Sequence, residues 1–356
     1  MNQITPEKAK AALATVEDPD LKKDLVTLNM ARNIEVSNDG QVSFNLVLTT
    51  PACPLRQQIE DDCKKALIDA GAKEVNIETT AEVRGFRGLG GKQPIEGVKN
   101  IIAVSSGKGG VGKSTVSVNL AISLARKGAK VGLLDADITG PNVPIMLGLQ
   151  SKPELSNDGK RLLPPEKFGI KIMSMGLLIG DSEPVVWRGP MLHSAINQFF
   201  RDVDWGDLDY LVIDLPPGTG DAQLTICQSV PIAGTVIVST PQDVALLDSR
   251  KGLAMFEKMN VAILGVVENM SYFIAPDTGN RYEIFGSNGA KKAAEELGFE
   301  CFGQLPIQQN IREGGDFGQP ITSADPENEV SKLFASIAEK VAARVSIVLA
   351  KELANV

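Results

Sequence analysis

A chain of 356 residues, 43% hydrophobic and 22% charged, has the balance of an ordinary globular protein and length for about two domains. Its formal net charge of −8 excludes the basic surplus on which non-specific nucleic-acid binding depends. No apolar run reaches the ~20 residues of a spanning helix, the opening residues lack an apolar signal core, and the four cysteines are scattered without a CxxC. The expectation is a cytoplasmic protein with reduced thiols and neither nucleic acid nor membrane as partner.

Thr5 to Val16 reads as a helix. Ile34 to Val36 and Gln41 to Leu48 alternate apolar and polar residues around Asn38-Asp39-Gly40, a hairpin signal. A second helix runs from about Pro54 to Ala70 and stops at Gly71, and Val75 to Thr79 is a short strand. This order predicts a small α+β domain over residues 1–80. Residues 81–99 are rich in glycine and charge without periodicity and read as a linker.

Residues 100–356 change character. Ile101 to Ser105, Lys130 to Leu134, Tyr210 to Ile213, Thr235 to Ser239 and Val261 to Val267 are apolar, β-branched runs mostly separated by helical stretches. The pattern predicts an α/β fold, a mostly parallel doubly wound sheet with ligands at the strand C-terminal ends. Thr139 to Phe168 and Asn269 to Gly286 read as insertions, and a last helix is expected to start with Asp325 as its cap.

The segment Ile101 to Thr115, IIAVSSGKGGVGKST, is a buried strand, a glycine loop and a helix start. Gly107, Gly112, Lys113 and Ser114 satisfy G-x-x-x-x-G-K-[ST] in the context that pattern requires, which makes the domain a P-loop NTPase. Backbone N–H groups of Gly107, Gly109, Gly110, Val111, Gly112, Lys113, Ser114 and Thr115 are expected to cradle the phosphates of ATP. Lys113 would reach the β- and γ-phosphates and the Ser114 hydroxyl would ligate Mg²⁺. Asp135 and Asp137 end one strand and Asp214 ends another. Asp214 is expected to hold Mg²⁺ through water, with Asp135 assisting that shell; a strand-end aspartate can also simply cap a helix. Pro216 to Gly220 has the composition of a switch loop.

A second lysine inside the loop, Lys108, resembles the deviant Walker A class of MinD, ParA and the nitrogenase iron proteins. That resemblance implies a slow ATP hydrolase acting as a homodimer, with Lys108 reaching the partner's nucleotide; a solvated loop lysine is the bland alternative. It also implies that Asp137 orients the attacking water, and that Asn269 contacts adenine unless it merely serves a turn. SSGKGGVGKST, DADITGPN, WRGPM (Trp187 to Met191), DLPPGTGD and ENMSYF together resemble the Mrp/ApbC iron–sulfur cluster carriers, and the first eighty residues resemble the SufT- and PaaD-like assembly domain. The resemblance implies a homodimeric ATPase that holds a transient [4Fe–4S] cluster and delivers it to apo-proteins.

One departure stands out. Members of that family carry a CxxC inside the segment that here reads ENMSYFIAPDTGNRYEIFG, and Ala275 and Thr278 occupy its places. Neither side chain can ligate iron. Cys53 is the best substitute: in Thr50-Pro51-Ala52-Cys53-Pro54 it reads as the cap of the following helix, where free N–H groups and the helix dipole favour thiolate. Cys63, Cys227 and Cys301 read as structural thiols, and His193, the only histidine, as a structural or surface residue. A cluster carrier, a ParA/MinD-like ATP-dependent organiser, and an ATPase regulator that has lost its cluster are the three functions compatible with these residues.

Overall fold

The structure, a computed structural model, describes residues 4–88, 91–138, 140–178, 189–242 and 252–354, with the side chains of 189–193 excepted. Trp187, Arg188 and the side chains of Met191 and His193 therefore lie outside the described residues. The chain forms two compact units, Met1–Arg84 with Ala342–Val356, and Gly85–Val341.

In the first unit, the helix Pro6–Leu13 is capped by Thr5, whose Oγ1 accepts from the Lys8 amide at 3.3 Å. Strands Ala31–Val36 and Gln41–Leu48 pair antiparallel, and Glu74–Ala81 adds in parallel to Gln41–Leu48. Alternation buries Val42, Phe44, Leu46 and Leu48, which pack with Ile59, Cys63 and Leu67 of the helix Arg56–Asp69. This is the expected small α+β arrangement, with a further short ladder between Glu17–Asp18 and Lys23–Asp24.

The second unit is built on eight strands. Their order across the sheet is Glu166–Lys167, Ile170–Ser174, Val131–Asp135, Leu208–Asp214, Val98–Ser105, Gly234–Ser239, Ile263–Glu268 and Cys301–Gln304, and only the first pairs antiparallel. Both faces are covered. Ile101, Ala103, Leu211 and Ile213 pack with Phe199, Trp205 and Phe256, while Ile102, Val104 and Val212 on the alternate positions are equally buried. Two-sided burial is why these strands read as continuous apolar runs. No helix among the described residues is long and apolar enough to cross a membrane.

Three boundaries differ from expectation. The 81–99 linker shrinks, because a strand already begins at Val98, the Phe86 amide donates to the Lys99 carbonyl at 2.9 Å, and Ile95 joins the core. Isolated apolar residues among glycines carry no period and so hide such contacts from sequence reading. The terminal helix starts at Glu329, not after Asp325; the Asn328 side chain accepts from the Val330 amide at 2.9 Å and provides the cap. Its last residues, from Ala342, group with the first unit, whereas the sequence reading kept all of 100–356 together. At 26 residues the helix is about 39 Å long, more than one small core needs.

Candidate functional site

The glycine loop joins the strand Val98–Ser105 to the helix Lys113–Arg126. Gly110 and Gly112 have φ of +80° and +82°, in the left-handed region. A Cβ at Gly112 would also collide with the side-chain amide of Asn269, so both backbone and packing demand glycine there. That amide donates to the Val111 carbonyl at 2.8 Å. A Cβ at Gly109 or Gly110 would meet nothing within 4 Å, so the loop backbone is open on that side. The Gly218 amide of the Pro216–Gly220 loop donates to the Ser106 carbonyl at 3.0 Å, and Gln223 donates to the Pro216 carbonyl at 2.5 Å, which seats that loop against the cradle.

Strand register brings the carboxylates together. Asp214 lies opposite Asp135 on one neighbour and Val104 on the other. Asp214 is fully buried and accepts from the Ser114 and Ser117 hydroxyls, each at 2.6 Å, while Lys113 Nζ sits 2.8 Å away. Lys113 is itself only 6% exposed, so the pair is a buried ion pair with extra hydroxyl donors. Asp135 is buried too; it accepts from Ser174 Oγ at 3.0 Å and from the Asp137 and Val143 amides at 3.1 and 3.3 Å. Burial first, then the neighbouring Asp214, pushes the Asp135 carboxyl up to about 7. Asp137 is half-buried and lines the cleft described next.

The cleft holds about 830 Å³. Ser106, Gly109, Gly110 and Gly112 to Thr115 line part of it with Asp137, Pro217 and Asn269, and Ile307, Gln308, Ile311 and Arg312 line another part. The second group escaped sequence reading. Its one usable sign is Pro306 ahead of the short helix Gln309–Asp316, since a proline there marks a loop that ends a strand. Lys108 is half-buried and donates to Gln242 Oε1 of its own chain at 3.4 Å.

Beyond Asn269 the chain forms a small hairpin, Phe273–Ile274 pairing with Arg281–Tyr282. Ala275 and Thr278 sit in its turn: the Ala275 amide donates to the Asn280 carbonyl at 2.9 Å, and Thr278 Oγ1 accepts from the Asn280 amide at 3.3 Å. The Arg281 guanidinium stacks 4.0 Å from the centre of the Tyr272 ring.

The capping role expected of Cys53 does not hold. The helix begins at Arg56, preceded by Leu55, and Cys53 lies in the turn before it, half-buried. Pro54 and Leu55 separate Cys53 from the helix, and Leu55 holds the capping position instead. Cys63 and Cys227 behave as read: burial pushes each thiol up to about 12. Burial raises Cys301 as well. Among the described residues no three His, Cys, Asp or Glu side chains converge as a metal site.

Residues 97–342 match the family model of the NUBPL iron-transfer P-loop NTPases. The chain belongs to this family. Residues 6–79 of this NUBPL-type NTPase also match the model of an iron–sulfur cluster assembly protein. It is 53% identical over 349 residues to an iron–sulfur cluster carrier protein of Synechocystis sp., covering 97% of this chain and 99% of that one. It is 42% identical over 346 residues to the iron–sulfur cluster carrier protein of Escherichia coli, covering 96% and 94%. Among solved structures, a nucleotide-binding protein of Archaeoglobus fulgidus in complex with ADP aligns at TM-score 0.59 and 40% identity over 67% of this chain and 93% of that one. The P-loop and the parallel sheet fall within the NTPase match, and the small α+β unit falls within the assembly-protein match.

Proposed function

We propose that this P-loop NTPase binds and slowly hydrolyses Mg·ATP in the cleft, and that turnover gates the carriage of an iron–sulfur cluster to apo-proteins. The observation that carries the reading is the open glycine cradle above the Lys113–Asp214–Ser114 cluster, in a chain whose two matched regions belong to an iron-transfer NTPase family and an iron–sulfur cluster assembly family. Backbone N–H groups from Gly107 to Thr115 hold phosphate oxygens, and Lys113 trades its Asp214 partner for the β- and γ-phosphates. Ser114 and Asp214, with Asp135 behind them, offer the hard oxygen donors that suit Mg²⁺. When bound there, the ion neutralises phosphate charge. Asp137, the acid that lines the cleft, orients the attacking water, and Asn269 contributes to the base side. Lys108 acts across a homodimer, leaving Gln242 for the partner's phosphate.

The cluster is cargo, held transiently at a dimer surface with half-buried Cys53 as the protein thiol that would ligate it. A single specific observation favours a second reading, that of a regulator without cargo: the hairpin turn holds Ala275 and Thr278 and no thiol. Anaerobic loading with iron and sulfide, followed by transfer to an apo-[4Fe–4S] enzyme with and without ATP, separates the two. The carrier reading expects substoichiometric loading and transfer that depends on nucleotide. Transfer indifferent to nucleotide removes the gating, and no retained iron at all selects the regulator.

A further inference from the structure

Glu268 is the last residue of the strand Ile263–Glu268 and has no exposed surface. A carboxylate withdrawn from water is costly unless its oxygens are fully engaged, and here they are. One oxygen accepts from Ser271 Oγ at 2.5 Å and from Gln304 Nε2 at 2.7 Å. The other accepts from the Ala290 and Lys291 amides at 2.7 and 3.2 Å, in the first turn of the helix Gly289–Glu296. Negative charge at that end of a helix is favourable. Gln304 in turn donates to Asn288 Oδ1 at 2.9 Å.

These partners bracket the hairpin. Ser271 immediately precedes it, and Asn288, Ala290 and Lys291 follow it, so one buried carboxylate fastens both of its feet. The next residue is Asn269, whose backbone amide donates to the Ser239 carbonyl at 2.8 Å and whose side chain holds the Val111 carbonyl of the glycine loop. The phosphate cradle and the feet of the hairpin are therefore connected through two adjacent residues, each anchored on both sides.

We propose that Glu268 is a positioning residue that ties the hairpin of residues 272–284 to the phosphate cradle, so that nucleotide binding is transmitted to the hairpin. The inference rests on the nucleotide reading above and adds the route by which the site reaches the surface segment. A displacement of Val111 on nucleotide binding moves Asn269, and Glu268 converts that movement into a shift of both feet at once. A helix cap serving stability alone would anchor the helix Gly289–Glu296 without making the hairpin responsive.

Amide hydrogen exchange over residues 272–284, read in the full chain with and without saturating Mg·ADP, tests this. Wild type is expected to show exchange slowed by about 3- to 10-fold on ADP binding, the scale of one buried hydrogen bond. In Glu268→Gln an amide NH₂ faces either the helix amides, which can only donate, or Gln304, whose own amide must then turn over and give up its bond to Asn288. That variant is expected to keep ADP binding, weakened by about 3- to 10-fold, and to lose the hairpin response at saturating ADP. The double variant Glu268→Gln with Gln304→Glu reverses donor and acceptor across the pair and is expected to recover it. If the single variant is too unstable, Ser271→Ala removes one donor only and is expected to blunt the response. A response unchanged in these variants, or absent from wild type that binds ADP, overturns the proposal alone. Wild type that fails to bind ADP overturns the nucleotide reading with it.

Discussion

The glycine loop and the hairpin lie on either side of Asn269 in space and sequence, yet they are built in opposite ways. Around the loop the charged groups are inside: Lys113 is 6% exposed and Asp214 fully buried, and each has its partners. On the hairpin the large apolar groups are outside, with Ile274 at 43%, Tyr282 at 50% and Ile284 at 57% exposure. A buried charge binds its neighbours to one chemistry, because any change strands an ion without compensation. The turn of the hairpin buries no charge: Ala275 is buried but small and apolar, and Thr278 is exposed, so neither leaves an ion without compensation where the family resemblance places cysteines.

The largest expected effect breaks the loop side of that contrast. Lys113→Ala removes both the phosphate ligand and the cation that compensates buried Asp214. It should abolish measurable Mg·ATP binding and, unlike a purely functional residue, cost about 3 kcal/mol of stability, read by calorimetric titration and thermal melting. Wild-type affinity in a folded Lys113→Ala protein contradicts the assignment. Lys108→Ala, at a half-buried residue whose ammonium donates to Gln242, should leave stability alone but lower turnover by about 10³-fold if it acts in trans. Mixing it with Asp137→Ala protein should restore some activity, since one site of the mixed dimer keeps both groups. No recovery with proven heterodimers argues against the trans role.

The next test sharpens the hairpin side. Ala275→Cys with Thr278→Cys places two thiols in one turn, and two protomers would then supply the four thiolates of a [4Fe–4S] cluster. Iron and sulfide per chain after anaerobic reconstitution should rise several-fold, with the fold and ATP affinity unchanged. Iron content equal to wild type would show that the hairpins of two protomers do not come close enough to share a cluster.

How much of this was legible beforehand follows the same contrast. G-x-x-x-x-G-K-S between a strand and a helix announced the cradle, because glycine conformation and a lysine at fixed spacing are local requirements. Asp135 and Asp214 were legible as strand ends, but only register shows them opposite each other. The wall made by Ile307, Gln308, Ile311 and Arg312 was not legible, since nothing local distinguishes a helix that faces a cleft from one that faces solvent. The strand Ile170–Ser174 was also passed over, lying beside a Pro/Gly-rich stretch. Cys53 was misplaced for a related reason: Pro54 suits a first helical position, yet the chain makes another turn before the helix begins at Arg56.

The smallest expected effect concerns the thiols. Cys63 and Cys227 are held at about 12 by burial, against roughly 8.5 in an unfolded chain. Between those values the unfolded chain has released protons that the folded chain retains. Stability from these two groups is therefore complete below about pH 8.5 and falls as pH rises towards 12. The same burial denies reagents the thiolate. Near neutral pH a disulfide reagent should modify half-buried Cys53 first, Cys301 slowly, and Cys63 and Cys227 only on unfolding. Cys53→Ser should then remove the fast phase together with most of any bound iron. ATPase activity should stay close to wild type, because Cys53 belongs to the first unit and the cleft to the second. Rapid labelling of Cys63 or Cys227 in native protein, or full iron loading in Cys53→Ser, would show that the accessible thiol chemistry of this chain lies elsewhere.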